Sequence, residues 1–219
     1  MNENIVIPVY IINLEERTDR LQHVLNEFKD KNEFIIEIVQ SRKNKKGNVD
    51  LWNNIRKCIK LAIERDEDFI IICENDHVFT NYYNKDILIN EIYESYKQGI
   101  EILLCGISGV IGSVVPISNR KFWISHFWGL QFTVIYSSLF LKILNYDFKE
   151  TDTADDLLSV MTSNKAVLFP FFSIQKYFGY SDVSLRNDIE KNNVDNLFNT
   201  AANKMKVYKE IYEKYIDGK

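Results

Sequence analysis

The chain has 219 residues, which is enough for one large domain or for a domain with an appendage. Hydrophobic residues make up 46% and charged residues 26%, which is ordinary for a globular protein with a substantial core. The formal net charge of −4 argues against the overall basic surface of nucleic-acid-binding proteins, so no nucleic-acid partner is expected.

The first third of the chain predicts strands and helices in alternation. An apolar strand covers residues 5–14, and a helix with apolar residues at helical spacing covers 21–28. A second strand covers 34–39, a second helix 49–65, and a third strand 69–73. This order of strands and helices predicts a Rossmann-like α/β core.

The third strand ends abruptly in polar and acidic residues. Its five apolar residues suit a strand buried on both faces, and E-N-D-H follows at 74–77. Ligands of open α/β sheets bind just beyond the carboxyl ends of the strands. If the backbone stays extended, Glu74 and Asp76 point to the same side and suit Mg²⁺ or Mn²⁺ that carries substrate phosphates. The alternative interpretation is a solvated acidic turn.

A polar loop joins the first strand to its helix and contains Asn13, Arg17 and Arg20. Thr18 or Asp19 can cap the helix. The two arginines can reach an anionic ligand, because a helix N-terminus adds its own attraction for phosphate. The alternative interpretation is an ordinary helix cap with two solvated arginines.

Further strands and helices are predicted in the second half of the chain. A helix covers 85–97, strands cover 100–105 and 130–137, and a short helix covers 138–146. Between the two strands, residues 106–120 shift in composition to Gly, Ser, Val and Pro. That composition predicts a mobile loop of the type that covers an active site.

An aromatic patch follows this loop. The stretch K-F-W-I-S-H-F-W-G at 121–129 places Trp123 and Trp128 on either side of His126. Such a patch can form a platform for a sugar or a base, and the alternative is a buried aromatic corner.

Acidic residues also open a later helix. Asp152 or Thr153 can cap it, and Asp155 and Asp156 fall in its first turn, where the helix dipole favours acids. This accounts for them structurally. The functional alternative is that one of them is a general base at the active edge of the sheet.

The termini and cysteines bear on localisation. A C-terminal helix is predicted over 199–215, and the lysines on its outer face allow at most a peripheral contact with anionic lipid. The N-terminus has no basic leader, and no apolar run reaches the ~18 residues that span a bilayer. Cys58, Cys73 and Cys105 lack C-x-x-C spacing and fit a reducing compartment. A cytoplasmic protein is therefore expected, with any membrane contact peripheral at the inner face of the cytoplasmic membrane.

Several of these stretches, in this order, resemble glycosyltransferase family 25, the lipopolysaccharide and lipooligosaccharide glycosyltransferases. The similar stretches are V-Y-I-I-N-L-E-E-R-T-D-R (9–20), the strand ending in E-N-D (69–76), G-L-Q-F-T-V-I-Y-S (129–137), T-A-D-D-L-L (153–158) and F-P-F-F-S-I-Q-K-Y-F-G-Y-S-D-V (169–183). E-N-D stands where the family has E-D-D, its version of the D-x-D metal motif. The Ser-His pair that members often carry in the preceding helix is replaced by Trp52-Asn53-Asn54.

The resemblance implies a GT-A fold, an α/β architecture with one Rossmann-like, mixed, mostly parallel central sheet flanked by helices. It implies a GT-A-like domain over residues 1–185, with 186–219 as a C-terminal helical extension packed on it. The implied activity is metal-dependent transfer of a sugar from a nucleotide-sugar donor, foremost a UDP-sugar, to a glycan or glycolipid acceptor. The implied setting is synthesis of bacterial surface polysaccharide or lipopolysaccharide, and the implied cofactor is Mn²⁺ or Mg²⁺.

The resemblance also suggests roles for single residues. They are Glu74 and Asp76 for the metal, Asn13, Arg17, Arg20 and Glu74 for the donor, Trp123 and Trp128 for the acceptor, and Asp155 or Asp156 as the general base of an inverting transfer. His77 or His126 can complete the metal's coordination shell, although a structural role or a position just outside that shell is the favoured interpretation of each. The alternative is a degenerate, non-catalytic GT-A protein that binds nucleotide sugars or glycans, which Asn75 and the missing Ser-His pair favour. Nucleotidyl transfer is disfavoured, because the first loop has no glycine.

Overall fold

The computed structural model describes residues 6–43, 46–179 and 193–217. The strands are β1 Ile7–Leu14, β2 Phe34–Ser41, β3 Phe69–Glu74, β4 His77–Phe79, β5 Ile102–Leu104, β6 Gly109–Pro116, β7 Lys121–Trp128, β8 Phe132–Tyr136, β9 Lys165–Leu168 and β10 Ser173–Gln175. The helices are α1 Thr18–Glu27, α2 Gly47–Glu64, α3 Lys85–Lys97, α4 Ser137–Asn145, α5 Ala154–Met161 and α6 Asn193–Tyr212, which a π-helical turn, Glu213–Asp217, extends.

A mixed sheet of eight strands forms the centre, in the order β2-β1-β3-β8-β5-β9-β7-β6. Strands β7 and β8 run antiparallel to their neighbours, and the other six share one direction. At one side of the sheet, β1 pairs in parallel with both β2 and β3, as the alternation of strands and helices predicts. The predicted α/β class, with a mixed, mostly parallel sheet between helices, is confirmed.

Helices bury both faces of the sheet. In β3, Ile70 and Ile72 join the core that α2, α4, α5 and α6 cover, whereas Ile71 and Cys73 join the core that α1 and α3 cover. The unbroken apolar run of this strand therefore follows from burial on both of its faces. Because β1 and β3 are parallel, the polar residues that follow each strand lie at the same edge of the sheet.

The prediction of a mobile loop over residues 106–120 is wrong, because most of this stretch forms β6 at the edge of the sheet. Strand β6 pairs antiparallel with β7, and the register shifts between Ile111 and Val114, which marks a β-bulge. Gly112 lies in this bulge with φ +84°, a conformation that favours glycine. The side chain of Val114 is buried and anchors the strand to the core. The glycine-rich composition thus reflects a bulged edge strand.

A buried ion pair fastens α3 to the start of β7. Lys121 is 1% exposed, and its Nζ lies 3.2 Å from Glu91 Oε2. The same Nζ donates a hydrogen bond to Ser95 Oγ at 3.1 Å. Both partners lie on α3, so the single lysine holds that helix against the sheet.

Helix α6 begins before the predicted residue 199 and packs on the sheet near β6. Phe198 and Met205 are buried in the core that α2, α4 and α5 also cover. The predicted domain boundary at residue 185 lies outside the described residues. No helix within the described ranges is both long and apolar enough to cross a membrane.

Candidate active site

A cleft of about 550 Å³ opens at the carboxyl ends of β1 and β3. This is the edge where open α/β sheets bind their ligands. Its walls come from the end of β1, Arg20 of α1, the start of α2, residues 74–76, 128–130, 153–156 and 175–178, and the start of α6. The cleft therefore gathers short polar segments from the whole length of the chain.

Glu74 and Asp76 both line this cleft. Strand β3 ends at Glu74, and the chain turns at Asn75 and Asp76 before β4 begins. The prediction that Glu74 and Asp76 point to the same side assumed an extended backbone, which is absent here. The turn nevertheless brings both carboxyl groups to the same cavity.

The two carboxyl groups share a buried, acidic environment. Burial raises the pKa of Glu74, and the neighbouring charges of Asp76 and Asp155 raise it further. Burial also raises the pKa of Asp76, although the Arg20 guanidinium opposes that shift with Nη1 at 3.9 Å from Asp76 Oδ2. These shifts mean that the cleft disfavours its own negative charges, and a bound cation would relieve the repulsion.

The oxygen atoms available here fit a hard divalent cation. Asp76 Oδ1 is buried and has no hydrogen-bond partner among the described residues. Glu74 Oε2 accepts a hydrogen bond from Gln175 Nε2 at 3.1 Å, which orients that carboxyl group. Mg²⁺ typically takes one or two protein carboxylates and completes its shell with water and substrate phosphates. Within the described ranges, no group of three or more His, Cys, Asp or Glu residues is arranged to hold a metal ion by itself.

A polar network behind the acids links β1, α1 and the turn. Asn75 Nδ2 donates to Asn13 Oδ1 at 2.8 Å, and Arg20 Nη1 donates to Asn75 Oδ1 at 3.4 Å. Arg20 is largely buried and lines the cleft, whereas Asn13 lies behind the lining and supports Asn75. Arg17 occupies the N-cap position of α1 and is not part of the lining. Asn75 therefore joins this network as a linking amide.

Asp155 and Asp156 have different surroundings. Asp155 accepts hydrogen bonds from the backbone N–H groups of Gly129, at 3.2 Å, and Asp156, at 3.0 Å. Burial nevertheless raises the pKa of Asp155 above its ordinary value. Burial acts in the same direction on Asp156, but hydrogen bonds from Thr153, Trp128 and His126 outweigh it and lower the pKa of that carboxyl. The pKa of Asp155 therefore lies above that of Asp156, so Asp155 is the stronger base of the two.

The two predicted acceptor tryptophans lie in different places. Trp128, at the end of β7, lines the cleft. Trp123, near the start of the same strand, donates from Nε1 to the Ser163 carbonyl at 2.7 Å and is not part of the lining. The structure brings Trp128, but not Trp123, to the carboxyl groups.

Neither of the two histidines considered as metal ligands lines the cleft. His77 is fully buried, stacks on Phe132 with ring centroids 4.5 Å apart, and has Nδ1 2.7 Å from Ser173 Oγ. Burial lowers the pKa of His77 well below its usual value, so this ring is a neutral core residue. His126 is engaged with Asp156 through Nε2 at 2.7 Å.

Residues 175–178 form one wall of the cleft, and no role was predicted for them from the sequence. Gln175 bonds Glu74, and the backbone N–H of Lys176 donates to the Asp76 carbonyl at 2.8 Å. The ring of Phe178 lies 5.0 Å from the Arg20 guanidinium carbon and 5.1 Å from Lys176 Nζ. The sequence feature that could have pointed to this wall is the polar pair Gln175-Lys176, which lies between an apolar strand and an aromatic run. Residues 180–183 of the similar stretch lie outside the described residues.

No protein-family model matches the chain, and a search of curated proteins also found no match. Among solved structures, A197 from STIV has a TM-score of 0.52 at 17% identity, covering 81% of this chain and 87% of that one. A glycosyltransferase involved in the glycosylation of the major capsid of PBCV-1 has a TM-score of 0.47 at 10% identity, covering 74% and 81%. Apo UDP-glucose pyrophosphorylase has a TM-score of 0.46 at 11% identity, covering 91% and 82%. The first of these likenesses shows that the chain shares its mixed α/β fold with A197.

Proposed function

We propose that the protein is a metal-dependent glycosyltransferase that takes a sugar from a nucleotide-sugar donor, foremost a UDP-sugar. The observation that carries this proposal is the convergence of three carboxyl groups in one cleft. Glu74 and Asp76 come from the end of β3 and the turn after it, Asp155 comes from the start of α5, and burial raises the pKa of each. Perturbed acids in a cleft at the carboxyl edge of an α/β sheet are typical of catalytic sites.

The acidic end of the cleft suits the donor diphosphate. Glu74 and Asp76 would hold Mn²⁺ or Mg²⁺, which when bound neutralises the charge that develops on the departing diphosphate. Arg20 lies 3.9 Å from Asp76 and is positioned to pair with the same phosphates. Asn13 would act on the donor indirectly, since its side chain orients Asn75 beside Arg20.

Asp155 suits the role of general base. In an inverting transfer, the acceptor oxygen bonds to the anomeric carbon, the bond to the diphosphate breaks, and the hydroxyl proton passes to a carboxylate. A raised pKa makes Asp155 the stronger base of the two adjacent acids. Asp156 already accepts hydrogen bonds from three side chains and has less capacity to take a proton.

The acceptor class is inferred from the sequence resemblance to glycosyltransferase family 25. On that basis the acceptor is a glycan or glycolipid of the bacterial surface, made on the cytoplasmic side of the membrane. Trp128 gives the cleft an aromatic surface beside Asp155 that suits a sugar ring.

A thermal-shift panel of nucleotide sugars, with and without Mn²⁺, tests the proposal. We expect one donor to raise Tm only with the metal, because binding to the folded state adds about 2.7 kcal/mol of stability at a hundredfold excess over Kd. Release of the nucleoside diphosphate from that donor, with water or a sugar as acceptor, then reports turnover. No shift with any donor would contradict the proposal.

Binding without turnover would instead identify a non-catalytic nucleotide-sugar-binding protein. The observation that favours this second function is the position of Asn75. Its amide is committed to Asn13 and Arg20, so position 75 does not add a third carboxylate to the pair. Diphosphate release that depends on Mn²⁺ separates the two functions.

A further inference from the structure

The carboxylate of Asp156 holds three side chains in fixed positions. Its Oδ1 accepts hydrogen bonds from His126 Nε2 at 2.7 Å and Trp128 Nε1 at 2.9 Å, and its Oδ2 accepts one from Thr153 Oγ1 at 2.7 Å. The donors come from β7 and from the residue before α5, so the contact joins two elements of the cleft wall. These hydrogen bonds to a charged acceptor orient the Asp156 carboxylate, although its side chain is 50% exposed.

The indole of Trp128 is constrained from two directions. Asp156 holds its N–H, and β6 supports its six-membered ring. A Cβ atom at Gly109 would lie 2.6 Å from Trp128 Cε3, so the missing side chain at Gly109 is what allows the ring to lie against the strand. Trp128 remains 38% exposed, and it lines the cleft. A large aromatic surface is therefore held in place at the cleft without being buried.

We propose that Trp128 is the platform on which the acceptor sugar ring stacks, and that Asp156 is the positioning residue that fixes this platform. The inference rests on the proposed function and names the acceptor group it takes, a pyranose ring that presents a face of C–H bonds. The electron-rich face of an indole attracts such weakly positive C–H groups, and its large area excludes water from them. Asp156 acts here through Trp128 and does not touch the substrate.

The position of the platform favours the acceptor over the donor. Gly129, the next residue after Trp128, donates its N–H to Asp155 at 3.2 Å, so the platform adjoins the proposed base. The acceptor hydroxyl must lie at that base when it attacks. The donor diphosphate belongs with Glu74, Asp76 and Arg20, which line the same cleft, whereas the indole N–H of Trp128 is bonded to Asp156.

The indole N–H signals in a ¹⁵N-correlated NMR spectrum of the full chain test this inference. The protein has three tryptophans, Trp52, Trp123 and Trp128, and Trp128→Phe identifies the signal of Trp128. The probes are methyl β-D-galactopyranoside, methyl β-D-glucopyranoside and methyl α-D-mannopyranoside, titrated with and without UDP and Mn²⁺. We expect at least one glycoside to move the Trp128 signal while the Trp123 signal stays in place.

Variants then separate the platform from its anchor. Trp128→Ala should raise the dissociation constant of the active glycoside about tenfold, as expected for the loss of one stacked ring. Asp156→Ala should weaken glycoside binding severalfold, and Asp156→Asn, which keeps an acceptor oxygen, should restore part of it. Trp123→Ala is the matched control, because Trp123 lies on the same strand outside the cleft, and it should leave glycoside binding unchanged. The affinity for UDP with Mn²⁺ should be the same in all four variants.

Several results would overturn the inference. It fails if none of the glycosides moves the Trp128 signal, if Trp128→Ala binds the glycoside as the wild type does, or if UDP with Mn²⁺ moves that signal and the glycosides do not. A protein that binds a glycoside at Trp128 but no nucleotide with metal would support the platform and contradict the glycosyltransferase. A protein that binds UDP with Mn²⁺ but no glycoside would do the reverse.

Discussion

Asp155 and Asp156 are neighbours in the chain, yet their carboxyl groups are shifted in opposite directions. Burial raises the pKa of Asp155, whereas hydrogen bonds from Thr153, Trp128 and His126 lower that of Asp156. Both lie in the first turn of α5, so the difference comes from what each side chain faces. Asp155 takes up a proton more readily than Asp156, and the carboxylate of Asp156 instead holds the side chains that bond to it.

Exchange of each acid for its amide should separate these roles. Asp155→Asn should lower turnover by about 10²–10⁴, the usual contribution of a general base, with little change in donor affinity. Asp156→Asn should affect mainly the KM for the acceptor, because its effect passes through Trp128. Steady-state kinetics of nucleoside diphosphate release would measure both, and equal losses of kcat in the two variants would contradict the assignment.

Asp76→Asn should abolish the stimulation of turnover by Mn²⁺ while leaving Tm within a few degrees of the wild type. The amide removes one of two charged ligands, and it also removes a buried charge that the cleft disfavours. Asp86→Asn is a suitable control, because Asp86 is an exposed acid at the start of α3, outside the cleft. Full metal-dependent activity in Asp76→Asn would rule out Asp76 as a metal ligand.

Stability without a divalent cation should fall as the pH rises. Burial, Asp76 and Asp155 raise the pKa of Glu74 from 4.5 to about 8, so the folded state keeps a proton that the unfolded state has lost. The contribution is present below the unfolded pKa and is lost as the pH approaches 8. We expect Tm in EDTA to drop between pH 5.5 and pH 8.5. The drop should be about 2–4 °C for each kcal/mol that protonated Glu74 contributes to the free energy of unfolding after solvent screening. Glu74→Gln should flatten this dependence, and an unchanged slope would show that Glu74 is not the group responsible.

The ion pair between Lys121 and Glu91 gives a test of the fold itself. Lys121→Met should destabilise the protein by about 3–5 kcal/mol, because it leaves the carboxylate of Glu91 buried without its partner. The double variant Lys121→Met/Glu91→Leu should recover much of that loss, since it removes both charges. Urea denaturation would measure each, and a double variant no more stable than the single one would contradict this account.

A feature of the structure could be predicted from the sequence where a local pattern of residues specifies it. The apolar run of β3 and the acids after it specified a doubly buried strand and a cleft at its end, because burial on both faces requires such a run. Strand β6 was not predicted. Its glycines are required by a bulge and by the contact with Trp128, and composition alone cannot distinguish such a strand from a loop. Gln175 was missed for a different reason. Its importance lies in a hydrogen bond to Glu74, 101 residues away, which no local pattern encodes.

The 101 residues between Glu74 and Gln175 affect the order in which the parts of the cleft form during synthesis of the chain. A ribosome adds about 5–20 residues per second, so roughly 5–20 s pass between synthesis of Glu74 and synthesis of the glutamine that orients it. Strands β1 to β3 and their helices can form during that interval, since their parallel pairings involve only the first part of the chain. The wall formed by residues 175–178 cannot. A nascent chain therefore carries Glu74 before the glutamine that orients it, and the cleft has all of its walls only after residues 175–178 and the start of α6 have been synthesised.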